Sequence, residues 1–181
     1  MIAAGLRFSR AFVSRPYVSA VATSLRHRWL SQRQAQGLEP WVTDSVSPGH
    51  AEAQQAIQAI QAELQRRGKA AVIAVADAHG ELIALLRIDG APLASILIAG
   101  NKAWTAARER KPSRDLGQAA RHPQDGYDMA YFGAPRYIGW GGGLLVRHHG
   151  AVVGAVAVSG LPELEDIEVA QVGVDAITAA P

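Results

Sequence analysis

The sequence predicts an α+β domain in which helices pack on a central antiparallel sheet. Three observations lead there. Two pairs of apolar segments, 70–76 with 81–88 and 144–147 with 151–158, are each joined by a tight turn. Strands joined that way must run antiparallel. Three further segments repeat apolar residues at helical spacing. The elements follow one another as helix, hairpin, helix, irregular segment, hairpin, helix, and most strand connections are too short for the crossovers of a parallel sheet.

The first helix is expected just after Val46. Ser47 is placed to cap it, Pro48 to fill its first turn and Glu52 to meet its positive dipole end. Ala53, Ala56, Ile57, Ile60 and Leu64 then share one face, and Gly68 after Arg66 and Arg67 is a stop signal. Ala70 to Ala76 is an unbroken apolar run and reads as a buried strand. Asp77-Ala78-His79-Gly80 is a turn, and Glu81 to Ile88 returns as its partner. Asp89-Gly90-Ala91-Pro92 ends that strand. Ser95 is placed to cap a helix to about Glu109. The apolar residues there are Ile96, Ile98, Ala99, Ala103, Ala106 and Ala107, mostly small enough for close packing on a sheet. Pro112 suits the end of that helix. Residues 113–137 read as irregular, with a short helix around Leu116 to Arg121. The second hairpin turns at His148, His149 and Gly150. Pro162 opens the last helix, with Glu163, Glu165, Asp166 and Glu168 at its start and Ile167, Ala170, Val174 and Ile177 on one face.

Composition narrows the chemistry. A chain of 181 residues suits one domain with a real core. It contains no cysteine, which excludes disulfides, thiolate nucleophiles and Cys-ligated metal sites. No apolar run reaches the ~18 residues of a membrane span. Residues 1–38 hold six arginines (Arg7, Arg10, Arg15, Arg26, Arg28, Arg33) and no acid. Removing those six from 18 basic residues leaves 12 against 16 acidic ones, so the remainder carries −4. A domain of that sign is not expected to bind nucleic acid. Residues 1–45 thus form an Arg/Ser-rich leader or extension, and 46–181 the domain. The leader resembles a mitochondrial transit peptide in composition. The alternative is an N-terminal extension of a bacterial protein, which would be cytoplasmic.

One pocket is suggested by two segments. In the first, Asp89-Gly90 precedes a helix bearing Lys102, Thr105 and Arg108. Lys102 and Thr105 are three apart and share a face, so a cation and a hydroxyl stand ready for a carboxylate. The plain structural alternative is that Asp89 caps its turn and pairs with Lys102 or Arg108. The second segment is Gly139-Trp140-Gly141-Gly142-Gly143. Its glycines permit close backbone approach and positive φ, and their amides suit an anion. A strand follows instead of a helix, and no Gly-Lys-Ser/Thr is present, so it is neither a dinucleotide fingerprint nor a P-loop. Tyr131, Phe132, Tyr137 and Trp140 could wall a planar ligand or serve as ordinary core. His148 and His149 are potential metal ligands, but neighbours on a strand point to opposite faces and would not share one ion. His79 reads as a turn residue, and His122 as part of a loop that could cover the pocket. Ser159 lacks the Gly-x-Ser-x-Gly setting of a hydrolase nucleophile. No catalytic constellation is visible.

These motifs together resemble the GlcG/HbpS-like haem-binding family. The resemblance runs from about Val46 to Ile177. It rests on VADAHGELIALLRIDGA, the SI…NKAWTA helix, the GWGGG segment, and GAVVGAVAVSG with the acidic helix after it. It implies a profilin-like, three-layer fold and a homo-oligomer. It also implies haem as a ligand, since some members bind it. The sequence departs from the family pattern at Leu145, where proline is usual, and at His149-Gly150, where Asp-Gly is common. Iron binding by acidic surface clusters in such proteins makes Glu163, Glu165 and Asp166 a remote metal candidate.

The first function expected is therefore small-molecule binding, with haem or another planar anionic ligand. Asp89, Gly90, Lys102, Thr105, Arg108, Trp140, Gly141, Gly142 and Gly143 would contact it. The second is a cofactor-independent enzyme of small-molecule catabolism in the same pocket, with Lys102 or Asp89 as acid–base group; no partner for either is apparent. The third is an oligomeric accessory protein.

Overall fold

The computed structural model describes residues 47–179. The leader at 1–45 and the start of the domain at Val46 lie outside the described residues. Four helices pack on one four-stranded antiparallel sheet, the α+β architecture expected. The order along the chain is α1 (His50–Arg67), β1 (Val72–Asp77), β2 (Leu82–Arg87), α2 (Ala94–Glu109), α3 (Ser113–Ala120), a 3₁₀ turn (Met129–Phe132), β3 (Gly143–His148), β4 (Ala151–Ser159) and α4 (Glu163–Thr178). The strands lie in the order β2-β1-β4-β3, so the two hairpins meet along β1 and β4.

Helix α1 starts later than expected. Gly49 is its N-cap and Glu52 closes the first turn by accepting from the Gly49 amide at 2.8 Å. Ser47 and Pro48 are used elsewhere. Ser47 Oγ accepts from the Ala78 amide at 3.2 Å, and Pro48 fills the space over Gly154, where a Cβ would lie 3.0 Å from the proline ring. All five residues of the expected stripe, Ala53, Ala56, Ile57, Ile60 and Leu64, are buried. Gly68 ends the helix at φ 62°, a left-handed conformation that glycine adopts without Cβ strain.

The sheet is covered on both sides by different chemistry. Ile73, Val75, Val156 and Val158 face α1 and α4, where they meet Ile60, Leu64 and Val169. Val72, Ala74, Ala76, Ala155 and Ala157 face α2, where they meet Ala99, Ala103, Ala106 and Ala107. The period-two alternation of β1 and β4 places branched residues on one face and mostly alanines on the other.

Two helix readings change. Helix α2 begins at Ala94 after a Pro92-Leu93 turn, so Ser95 is a buried helical residue and not the cap. Ile96 turns outward and, with Leu93 and Leu97, stays exposed at 38, 69 and 70%. On α4 the buried face comprises Asp166, Val169, Ala170, Gly173 and Val174. It is thus rotated from the expected one, because Gly173 lets Ile60 and Val156 close in; a Cβ there would lie 3.1 Å from Val156 Cγ1.

Candidate functional site

The closely packed alanine face of α2 carries Lys102 to the end of the sheet. Gly143, at the start of β3, has no side chain, and a Cβ there would collide with the Lys102 carbonyl. The long Lys102 stem then runs past the strand end to α4, on the opposite face. Its ammonium donates to Asp166 Oδ2 at 2.7 Å and to the Val158 carbonyl at 3.0 Å. Asp166 Oδ1 accepts from the Leu161 amide at 3.1 Å. Both side chains are nearly inaccessible, at 3 and 4% exposure. Burial pushes the Asp166 carboxyl above its ordinary range, and the hydrogen bond and charge of Lys102 pull part of that back. Two of the three ammonium donors have partners among the described residues.

The glycine run is what lets this pair form. Gly142 has φ 111°, and a Cβ on it would lie 2.6 Å from the Val158 carbonyl, 2.9 Å from Asp166 Cβ and 3.0 Å from Lys102 Nζ. Three groups hold the run in place. Ser113 Oγ donates to the Trp140 carbonyl at 2.7 Å and accepts from the Gly143 amide at 3.0 Å. Glu163 Oε1 accepts from the Gly141 amide at 2.8 Å. Gly139 packs backbone to backbone on Gly117 of α3.

Above the pair lies an open cleft of about 380 Å³. Its polar lining is Ser95, Lys102, Ser159, Glu163 and Asp166; Ile98, Trp140 and Leu161 supply apolar walls, with Gly141 and Gly160 between them. One cation faces two carboxylates here, so Lys102 is matched within the protein. An arrangement of this kind can donate one charged hydrogen bond to an oxygen-bearing ligand, flanked by two hydroxyls and by Trp140, which is 57% exposed.

Of the residues expected in the pocket, Lys102, Trp140 and Gly141 line the cleft, and Gly142 and Gly143 form the backbone beneath it. The others stand apart from its lining. Asp89 and Gly90 form an exposed turn with Gly90 at φ 88°. Asp89 is not the partner of either cation: Lys102 pairs with Asp166, and Arg108 pairs with Glu81 at 2.9 Å. Thr105 is buried, accepts from the Ile138 amide at 3.2 Å and donates to the Arg136 carbonyl at 3.4 Å, which fastens the approach to the glycine run. Tyr137 and Phe132 stack on each other at 4.5 Å, and Tyr137 meets Trp104 edge-on at 5.0 Å. They build a cluster around Trp104, flanked by Arg108 and Arg136, instead of walling the cleft. Tyr131 is 91% exposed.

Sequence reasoning did not place Asp166, Ser113, Ser95 or Ser159 at this site: it gave Asp166 and Ser95 other roles, dismissed Ser159 as a nucleophile and did not single out Ser113. For Asp166 a signal existed. It lies four residues before Ala170, on the buried stripe of α4, and a carboxylate on an apolar stripe demands a partner. The three acids of the remote metal candidate are otherwise engaged: Asp166 is in the ion pair, Glu163 holds Gly141, and Glu165 meets Lys69 at 3.4 Å. Among the described residues no group of three or more His, Asp and Glu could hold a metal ion. The expectation that His148 and His149 point apart also fails. His149 leaves the strand with φ 48°, and its ring meets that of His148 at 4.1 Å. His122 is a loop fastener, its Nδ1 accepting from the Asp125 amide at 3.1 Å.

Known proteins match this fold and this segment. A 15.0 kDa Citrobacter freundii protein encoded between dhaT and dhaS is 31% identical over 69% of this chain and 88% of its own length. GlcG of Escherichia coli K12 is 34% identical over 57% of this chain and 74% of its own. Among solved structures, ORFY of Klebsiella pneumoniae superposes with a TM-score of 0.73 at 29% identity, covering 80% of this chain and 99% of ORFY. The PduOC:haem complex superposes at 0.67 and 24% identity, covering 72 and 95%, a likeness of fold. The family model described as haem degrading protein HbpS-like matches residues 49–175, and the chain belongs to that HbpS-like family.

Proposed function

We propose that the protein binds a small molecule in the cleft over Lys102 and Asp166, with haem or another planar anionic ligand as its occupant. One observation supports this reading: a buried ammonium, two of whose three donors are taken by Asp166 and the Val158 carbonyl among the described residues, lines an open cleft. Lys102 would donate to a ligand oxygen, Ser95 and Ser159 would fix its orientation, and Trp140 would cover its plane. Thr105, Gly142 and Gly143 would act by shaping the site. The family's description supports haem as the ligand class. The cleft lining contains no imidazole, so a haem held here would be bound through a carboxylate and its ring edge.

Calorimetry with hemin and with metal-free porphyrin tests the reading. Lys102→Ala alone would leave Asp166 buried and unpaired, so the variant to use is Lys102→Met with Asp166→Leu, which removes both charges together. A charge-assisted contact contributes ~1.5–3 kcal/mol, so affinity should fall ~10- to 150-fold. Unchanged affinity in a folded double variant would remove Lys102 from the site.

The Lys102–Asp166 contact also favours a second reading, an enzyme. It supplies the partner that the sequence did not reveal, and a carboxyl raised by burial beside an ammonium is suited to proton transfer. Turnover of a metabolite, lost in Asp166→Asn, would support it.

The chain is further read as a homo-oligomer. The small residues of α2 are spent on the sheet, and the support comes instead from the exposed Leu93, Ile96 and Leu97 beside them. A light-scattering mass near 19.2 kDa would count against it. The relatives come from bacteria, which favours the bacterial reading, with its cytoplasmic location, over the mitochondrial reading of the leader. Among the described residues no helix is long and apolar enough to cross a membrane.

A further inference from the structure

The cleft contains a second carboxylate that the Lys102–Asp166 pair does not use. Glu163 is the first residue of α4. Its Oε1 accepts from the Gly141 amide at 2.8 Å and lies 3.8 Å from Arg114 Nε. The side chain lies directly over Gly141, where a Cβ would stand 2.9 Å from both Glu163 Cγ and Oε1. Glycine at 141 therefore leaves the place beside its own amide to a carboxylate.

The two ends of this contact differ. The Gly141 residue is buried, whereas the Glu163 side chain is 41% exposed and lines the cleft. A solvated carboxylate loses little when it leaves an exposed pair. A buried amide left without an acceptor is costly. Glu163 is thus free to leave only as another acceptor arrives, so the contact favours exchange over simple opening. Arg114 decides which acceptor suits. Its guanidinium makes no hydrogen bond among the described residues, and at 3.8 Å it gives Glu163 charge without a hydrogen bond. A planar fork of donors matches an incoming carboxylate better than a neutral oxygen.

We propose that Glu163 is a built-in stand-in for the ligand. A ligand carboxylate displaces it from the Gly141 amide and Arg114, and Glu163 thereby sets both the affinity of the cleft and its preference for acids. This rests on the cleft being the ligand site and adds to it a second anchor besides Lys102.

The test is a titration of the full chain with benzoate, followed through the Gly141 amide resonance by NMR. Benzamide serves as the neutral compound of the same shape. Wild type is compared with Glu163→Ala, with Glu163→Gln, and with Lys102→Met plus Asp166→Leu. Removing the competitor in Glu163→Ala should raise benzoate affinity at least ~10-fold, because the ligand no longer displaces a hydrogen bond to a charged group. Glu163→Gln keeps the tie to Gly141 without the charge and should fall between the two. A gain there is readable even if Glu163→Ala fails to fold. Benzamide should gain less in each variant. A purely structural Glu163 predicts the reverse, since its loss would loosen Gly141 and weaken binding. Equal or weaker benzoate binding by the folded Glu163 variants would overturn the proposal. If that binding still falls in the Lys102→Met, Asp166→Leu protein, the cleft remains the ligand site and only the exchange is wrong. Benzoate that moves the Gly141 resonance in none of these proteins would overturn the exchange too, and porphyrin calorimetry then decides the cleft by itself.

Discussion

The two faces of the sheet are built from different residues, and the difference explains where the cleft is. Toward α1 and α4 the sheet shows Ile73, Val75, Val156 and Val158, and bulky side chains interlock there. Toward α2 it shows Ala74, Ala76, Ala155 and Ala157 against more alanines, so helix and sheet lie close. The first face supplies most of the buried apolar bulk. The second supplies proximity. Lys102 starts on the second face and Asp166 on a helix of the first, and they meet past the strand end because Gly142 and Gly143 put nothing between them. A long cation is thus the clasp between the layers, and the cleft is the space left above the clasp.

The largest effect should come from opening that clasp. Asp166→Ala strands a buried ammonium and should destabilise by ~3–5 kcal/mol, whereas Lys102→Met with Asp166→Leu should cost far less. Chemical denaturation measures both; equal losses would mean that the pair does not act as a unit. Next comes truncation on the bulky face. Ile60→Ala leaves a cavity against Gly173 and Val156 and should cost ~2–5 kcal/mol. The reverse change, Ala103→Leu on the alanine face, should cost ~1–3 kcal/mol through overpacking. It should also weaken ligand binding, by lifting Lys102 off the strand end, while Ile60→Ala leaves affinity unchanged. If the two variants affect binding alike, the division of labour between faces is wrong.

The smallest effect is in pH. The Asp166 carboxyl titrates above its ordinary value of 3.8 because it is buried. Between that value and its raised one, the folded state holds more protons than the unfolded state. Its contribution is therefore fully present below 3.8 and falls as pH rises through the raised value. Unfolding measured across this window should show a downward slope with rising pH that Asp166→Asn lacks.

Much of this was legible without a structure. Helical spacing located all five buried residues of α1, and the unbroken run before Asp77 located the central strand. Tight turns dictated antiparallel pairing, and the glycine run signalled a close approach. These are local properties, since periodicity and turn chemistry act within a few residues. Helix boundaries were less legible. Ser47 and Ser95 carry the chemistry of caps, but tertiary contacts recruit one to the Ala78 amide and bury the other.

The sequence by itself determined the elements, the antiparallel pairing within each hairpin, the small apolar residues of α2, and the close backbone approach at the glycine run. Only the tertiary structure decided the partners. That Lys102 meets Asp166 and not Asp89 depends on how far α2 and α4 reach around opposite faces of the sheet. That Phe132 and Tyr137 join Trp104 and leave Trp140 at the cleft depends on the path of the 121–138 segment. That the rings of His148 and His149 meet depends on the left-handed turn at His149. Each is set by groups far apart in the chain, whose distances follow from packing and not from spacing.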